Sequence, residues 1–183
     1  MIYESRVWKA ALLKQARLLQ KRKTQKRWPE RAMAHVEREI FISAFSIRKL
    51  IESKKLSDQV EAILLRTDSY EHTGHLVDIA NWHKIEELYN LSESEPKNLK
   101  LADFCNLIIH SLVFIIVLSS NNGLEGIFVT SDFKSSNYLL YIPINEVITA
   151  LNAVSKDHIV FVHSERDTLG GIIKIKRKSN RHF

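Results

Sequence analysis

A long apolar stripe between residues 29 and 54 is the feature that most restricts how this chain can fold. Five residues at three- or four-residue spacing, which share one side of an α-helix, form the stripe: Val36, Ile40, Ala44, Ile47 and Ile51. Phe41 and Phe45 add width to it. A helix with one broad apolar side has to bury that side, so the pattern predicts the central core helix of the protein.

The rest of the first 111 residues is also predicted to be mainly helical. Trp8, Leu12 and Ala16 recur at helical spacing between charged residues, which indicates an amphipathic helix. Ser57 can cap a short third helix, because its hydroxyl can accept a hydrogen bond from a backbone N–H of the first turn. Loops are expected at residues 67–74 and 92–98, and the second is the best candidate for an internal linker. Besides the central one, the predicted helices cover residues 5–20, 58–65, 78–89 and 99–111.

Residues 112–183 are predicted to be mainly β, with one helix. Short apolar runs alternate with turn-forming Ser, Asn, Asp and Gly, which is typical of a β-meander followed by a hairpin around residues 167–171. Pro143 can begin the intervening helix, through residue 153, because its φ is already helical. The predicted strands cover residues 112–118, 126–131, 138–142, 158–163 and 172–176. The fold class is therefore α+β: one domain, residues 1–183, with a helical N-terminal half packed on a C-terminal, mainly antiparallel sheet.

The composition restricts the cellular compartment in which this protein can work. With 183 residues and 45% hydrophobic content, one domain can bury a core without disulfides or metals. Cys105 is the only cysteine, which suits a reducing compartment, and the N-terminus lacks the apolar segment of a signal peptide. The apolar run at 104–118 is interrupted by Asn106 and His110, and it is shorter than the roughly 20 residues of a membrane-spanning helix. We expect a cytoplasmic protein with no membrane partner and no cofactor.

Basic residues are concentrated at both ends of the chain. Residues 1–31 hold ten Lys or Arg and two acids, residues 174–183 hold five and none, and residues 32–173 hold twelve and nineteen. The three parts carry +8, +5 and −7, which sum to the net charge of +6. Such ends either contact an outside polyanion, such as the RNA or DNA backbone, or pack against the acidic middle of the chain. The candidate nucleic-acid-binding residues are Lys14, Arg17, Lys21, Arg22, Lys23, Lys26, Arg27, Lys176, Arg177 and Lys178.

Asp103, Asn106 and His110 form the sharpest cluster of polar residues. On a helix they fall within about 60° of one another, opposite an apolar face. An imidazole can act as general acid or base near neutral pH, a carboxylate can orient it, and an amide can bind a developing oxyanion or phosphate. These three are the candidate catalytic residues. The alternative is structural: Asn106 and His110 would be hydrogen-bonded inside the fold at the junction of helix and sheet.

The run from Cys105 to His110 resembles the motif of the HEPN ribonucleases, in which an arginine, a neighbouring polar residue and a histidine lie on one helix. The resemblance implies RNA cleavage without a metal, commonly across a dimer, in toxin and phage-defence systems. Asn106 and His110 match the motif, but Cys105 stands at the arginine position, so the cation expected to stabilise the transition-state phosphate is missing. The resemblance covers six residues, and the family is all-helical. Arg66 and His72 also satisfy the family's arginine-to-histidine spacing, but Asp68, Ser69 and Tyr70 between them lie in a predicted loop.

Four residues of the segment 72–83 have side chains that can bind metals, namely His72, His75, Asp78 and His83. Their spacing matches no metal-site signature, and an exposed polar loop is the alternative that we favour. No metal ligand is therefore assigned.

Two functions fit the sequence. The first is an accessory protein that binds nucleic acid or a protein partner, including a second copy of itself, through its basic ends. The alternative is a metal-independent nuclease or related hydrolase centred on His110 and Asn106.

Overall fold

The computed structural model, which describes residues 2–166 and 172–179, has the predicted α+β class. The helices are α1 (Ser5–Arg22), α2 (Glu30–Glu52), α3 (Asp58–Glu61), α4 (Ile85–Leu88), α5 (Leu101–Ile109) and α6 (Ile144–Lys156). The strands are β1 (Leu64–Glu71), β2 (Glu95–Lys100), β3 (Ser111–Leu118), β4 (Leu124–Ser131), β5 (Tyr138–Pro143), β6 (Ile159–Arg166) and β7 (Ile172–Ser179). A single 3₁₀ turn, Asp132–Lys134, lies between β4 and β5.

Five of the strands form one sheet in the order β2-β1-β5-β4-β3, and each neighbouring pair is antiparallel. The adjacent strands β3, β4 and β5 are the predicted meander. Strands β6 and β7 pair with each other in a separate two-stranded sheet, as the predicted hairpin requires. The predicted turn at 167–171 lies outside the described residues.

The main core lies between the sheet and the helices. Helices α5 and α6 cover one face of the sheet, and α2 and α1 pack against them. Four members of the predicted α2 stripe have no solvent exposure, namely Val36, Ile40, Ala44 and Ile47. Burial of each large aliphatic side chain stabilises the folded protein by about 1.5–3 kcal/mol. The burial of these four residues confirms the prediction of a central core helix. Phe45 was wrongly included in the stripe, because its side chain remains 47% exposed.

Two segments predicted as loops are strands in the structure. Residues 67–71 belong to β1, which pairs with both β2 and β5, and residues 95–98 belong to β2. The polar side chain of Thr67 is buried in β1, and β2 buries only Leu99, so neither strand shows apolar alternation. Strand β2 is an edge strand that contains Pro96 and Lys97, and both residue types are common where a strand edge faces solvent.

The helix predicted at 78–89 is also wrong in extent, because only Ile85–Leu88 is helical. Asp78 caps a turn instead: its Oδ1 accepts hydrogen bonds from the backbone N–H groups of Ala80 (2.8 Å) and Asn81 (3.1 Å). A carboxylate that bonds its own following backbone favours turns over helix interiors. The segment still buries Ile85 and Leu88 as part of a smaller cluster on the second face of the sheet.

A buried polar network joins α1, the start of α3 and the end of α6. Asp157 is fully buried, and its carboxylate accepts hydrogen bonds from the backbone N–H (2.7 Å) and hydroxyl (2.9 Å) of Ser57. The Lys9 ammonium lies 3.8 Å from the same carboxylate and donates to the carbonyls of Asp157 (2.7 Å) and Lys55 (2.9 Å). Burial lowers the pKa of Lys9, and the opposing attraction of Asp157 is weaker. The network fixes three elements that are far apart in the sequence.

The end of α2 gives a prediction about stability. Lys54 has a φ of 55°, and the backbone N–H groups of Lys54 and Lys55 donate to the carbonyls of Ile51 (3.0 Å) and Leu50 (2.9 Å). This is a Schellman motif, whose left-handed position favours glycine. Lys54→Gly is expected to raise the free energy of unfolding by about 0.5–1 kcal/mol in chemical denaturation. Lys54→Ala keeps the strained Cβ and should give no such gain; equal stabilisation by both substitutions would show that the left-handed backbone is not the cause.

Candidate functional site

An open cleft of about 420 Å³ lies where the end of α5 meets the 3₁₀ turn after β4. The backbone N–H of Asp132 donates to the carbonyl of His110 at 3.3 Å, which holds the turn against the helix end. The cleft is lined by Asp103, Asn106, Leu107, His110, Ser131, Asp132, Phe133 and Lys134. All three predicted catalytic residues therefore line one cavity.

His110 ends α5 with its side chain exposed to solvent. In the described part of the chain, its imidazole forms no hydrogen bond, and the Asp103 carboxylate is not paired with it. The structural alternative, in which this imidazole is hydrogen-bonded inside the fold, is therefore wrong for His110. The suggestion that Asp103 orients the ring has no support in the observed contacts either. The imidazole is free to meet a ligand in the cleft, as general acid–base chemistry requires.

Asn106 lies one helical turn before His110 and is partly buried. Its backbone carbonyl accepts the N–H of His110 at 3.0 Å, as the helix dictates. Its side-chain Oδ1 is buried and finds no hydrogen-bond partner within residues 2–166 and 172–179. A buried side-chain oxygen with no partner in the protein is uncommon, and it calls for a specific explanation such as a catalytic role or a bound water. Because Asn106 also lines the cleft, its amide is a candidate for contacting a molecule there.

The residue at the arginine position of the HEPN-like run contributes nothing to the cleft. Cys105 is fully buried in the main core, and burial raises the pKa of its thiol to about 12. The cation on this cleft is instead Lys134, from the turn after β4. Its ammonium lies 5.7 Å from the ring centroid of Tyr138. The sequence predicts only a turn between the strands at 126–131 and 138–142, and no local pattern places Lys134 on the same cleft as His110.

Burial of Cys105 predicts low chemical reactivity. A thiol that is protonated and shielded from solvent reacts slowly with alkylating reagents. Alkylation by iodoacetamide near pH 8 should be at least about 100-fold slower in the folded protein than in denaturant, as followed by mass spectrometry. Rapid modification of the folded protein would contradict the observed burial.

The second arginine–histidine pair with the family's spacing lies in a different environment. Arg66 belongs to β1, and its guanidinium pairs with Glu146 of α6 at 2.8 and 3.1 Å. The Nδ1 atom of His72 accepts the backbone N–H of Gly74 at 3.1 Å, so its Nε2 carries the hydrogen that points at the carbonyl of His75, 2.6 Å away. Both side chains are thus engaged with the protein itself.

The histidines between residues 72 and 83 stabilise their own loop. The Nδ1 atom of His75 lies 3.2 Å from the carbonyl of Glu87, and the rings of His83 and Trp82 pack edge to face. Among the residues that the structure describes, no group of three or more His, Cys, Asp or Glu side chains is arranged to hold a metal ion.

The N-terminal basic residues form an exposed surface. Lys14, Arg17 and Lys21 fall within about 60° on the outer side of α1, and all three are exposed. Lys26 and Arg27 are exposed in the following loop. None of these five cations forms a salt bridge with a carboxylate in the described parts of the chain. The acidic residues that the structure describes therefore form no ion pair with the α1 row, the name used below for Lys14, Arg17 and Lys21.

The remaining N-terminal candidates bond to neutral groups. The guanidinium of Arg22 donates to the side-chain carbonyl of Gln25. The ammonium of Lys23 donates to the side-chain oxygen of Asn145 at 2.7 Å, which connects the end of α1 to α6. Both residues are half-buried, and neither of these partners is a carboxylate.

The C-terminal candidates divide into one structural and two exposed cations. Arg177 is buried, and its guanidinium binds both carboxylate oxygens of Glu61 (2.6 and 2.9 Å) and lies 2.9 Å from Asp58. Its assignment as a nucleic-acid-binding residue is therefore corrected: Arg177 anchors β7 to α3, and the two carboxylates neutralise its charge. Lys176 and Lys178 are exposed.

The chain matches no protein-family model, no curated protein and no solved structure with which it was compared. None of the helices in the described residues is both long enough and apolar enough to cross a bilayer. The candidate functional features of this protein are therefore the cleft and the basic surface.

Proposed function

We propose that this protein binds nucleic acid by contacting phosphates with the basic face of α1. The α1 row carries the proposal: three exposed cations extend over two helical turns, about 10 Å, with no described carboxylate beside them. The chain has nineteen acids between residues 32 and 173, yet none of those in the described parts pairs with this row. Exposed lysines and arginines in such a row release counterions when they contact phosphates, which produces affinity without sequence preference.

Salt dependence tests this function directly. Binding of a fluorescein-labelled RNA of roughly 12 nucleotides, followed by anisotropy, should weaken steadily as NaCl rises from about 50 mM. Replacing the α1 row with Lys14→Gln, Arg17→Gln and Lys21→Gln should lower the affinity roughly 10- to 100-fold. The slope of log K against log salt should fall by about 2, because each lost phosphate contact removes about 0.7.

A matched control separates the α1 row from net charge. Lys49→Gln, Lys84→Gln and Lys100→Gln remove the same three charges from α2, from the residue before α4 and from β2. This variant should bind within about twofold of the original protein. Equal losses in the two triple variants, or binding that does not respond to salt, would reject the α1 row as the binding surface.

The His110 cleft favours a second function, cleavage of RNA. Three polar residues line this one cavity: His110 with its exposed imidazole, Asn106 with its unpaired side-chain oxygen, and Lys134. Together they provide a general base, a hydrogen-bonding group and a cation for a phosphodiester. In the proposed step, His110 takes the proton of a ribose 2′-OH, whose oxygen bonds to the adjacent phosphorus. The bond from phosphorus to the 5′-oxygen breaks, and that oxygen takes a proton from water. The products are a 2′,3′-cyclic phosphate and a 5′-hydroxyl end.

A further inference from the structure

The hairpin of β6 and β7 has an outward face that combines aromatic rings with cations. Phe161 pairs with Lys178 across the two strands, and His163 pairs with Lys176. Cross-strand partners and residues two apart on a strand project from the same face, so these four side chains form one surface. The four residues, Phe161, His163, Lys176 and Lys178, are called the hairpin face below.

The contacts within the hairpin face confirm this arrangement. The rings of Phe161 and His163 are parallel within 6°, with centroids 6.5 Å apart, and the ammonium of Lys178 lies 5.9 Å from the Phe161 centroid. Phe161 is 49% exposed, although a phenylalanine of this size normally buries its ring. Glu165 lies 3.7 Å from His163 and limits the basic surface on the side toward the end of β6.

Arg177 fixes how β7 is oriented against α3, and its cross-strand neighbour Val162 remains 62% exposed. Its side chain lies on the opposite face and is held by Glu61 and Asp58 of α3. Because neighbouring residues of a strand project to opposite sides, this anchor directs Lys176 and Lys178 outward. Both lysines are exposed, and neither pairs with a carboxylate in the described parts of the chain.

We propose that the hairpin face binds an unpaired nucleic-acid strand, with a base stacked on Phe161 and the phosphates on either side contacted by Lys176 and Lys178. Base stacking on an aromatic side chain requires a base whose face is accessible, and paired bases inside a duplex do not offer one. The positive charge of the two lysines complements the strand's phosphates. The inference rests on the proposed function and specifies its substrate as single-stranded.

Substitutions at Phe161 test the stacking contact in the full-length protein. The probes are a fluorescein-labelled single-stranded RNA of roughly 12 nucleotides and the duplex of the same sequence, measured by anisotropy at constant salt. The original protein should bind the single strand more tightly. Phe161→Leu should weaken single-strand binding about 5- to 100-fold and leave duplex binding unchanged. Phe161→Trp should bind the single strand at least as tightly as the original, a result that misfolding cannot produce.

Phe45→Leu is the matched control, because Phe45 is 47% exposed on α2 and has the Lys49 ammonium 5.7 Å from its ring centroid. It should leave single-strand affinity within about twofold. The inference is overturned if Phe161→Leu binds the single strand normally, if Phe161→Trp binds as weakly as Phe161→Leu, or if Phe45→Leu causes an equal loss. In each of these cases salt-dependent binding through the α1 row would persist, whereas failure of the proposed function would abolish salt-dependent binding of both probes.

Discussion

Replacing Asp157 with alanine is expected to lower the free energy of unfolding by about 3–5 kcal/mol, the largest stability effect of any single substitution considered for this chain. The variant leaves the Lys9 ammonium buried without its carboxylate partner and removes both acceptors of Ser57. A buried charge without a counter-charge costs far more than an exposed pair contributes. Urea unfolding followed by circular dichroism measures the change.

Two further variants identify the cause of this loss. Glu52→Ala removes a carboxylate that pairs with Arg48 and Lys49 on the exposed side of α2, and it should cost less than about 1 kcal/mol. Combining Lys9→Met with Asp157→Ala removes the stranded charge, so the double variant should be more stable than Asp157→Ala alone. If adding Lys9→Met instead lowers stability further, the unpaired ammonium is not the source of the loss.

The elements read correctly from the sequence are those whose pattern is local. The α2 stripe and the polar face of α5 follow from helical periodicity, and both are present in the structure. Strands β1 and β2 could not be read in this way, because their stability depends on pairing with distant partners. Strand β1 pairs with β5 in the register that joins Asp68 to Tyr141. The residues of β1 show no apolar alternation from which a strand could be predicted.

The functional residues also divide into those that a local sequence pattern predicts and those that depend on distant strand pairing. Asp103, Asn106 and His110 share a helix and could be placed together, but Lys134 reaches the cleft only through the pairing of β3 with β4. The buried position of Arg177 could have been predicted from the sequence. In the run from Ile172 to Ser179, alternation places Arg177 on the same face as Ile175 and opposite the two exposed lysines. A basic residue on the apolar side of a strand indicates a buried ion pair rather than a phosphate contact.

His110→Ala is expected to lower the rate of RNA cleavage by at least about 100-fold, if the second proposed function is correct. Because the imidazole is exposed and forms no hydrogen bond with the described residues, its removal should leave the melting temperature within about 2 °C. Gel analysis of a labelled RNA measures the rate, and a single 2′-deoxy substitution at the cleaved position should abolish the reaction. Lys134→Gln should also slow cleavage, whereas Lys134→Arg should retain most of it, since the cation is kept.

The control for His110 is another exposed histidine outside the cleft. His83→Ala removes an exposed imidazole whose ring packs against Trp82, outside the cleft, so it should cleave RNA at the original rate. Each variant is purified in parallel, because a contaminating ribonuclease would act equally on all of them. Cleavage that survives His110→Ala at an undiminished rate, or that falls equally in His83→Ala, removes the cleft as the catalytic site. The α1 row would then remain as a binding surface alone, since its cations lie on a different element and do not depend on the imidazole.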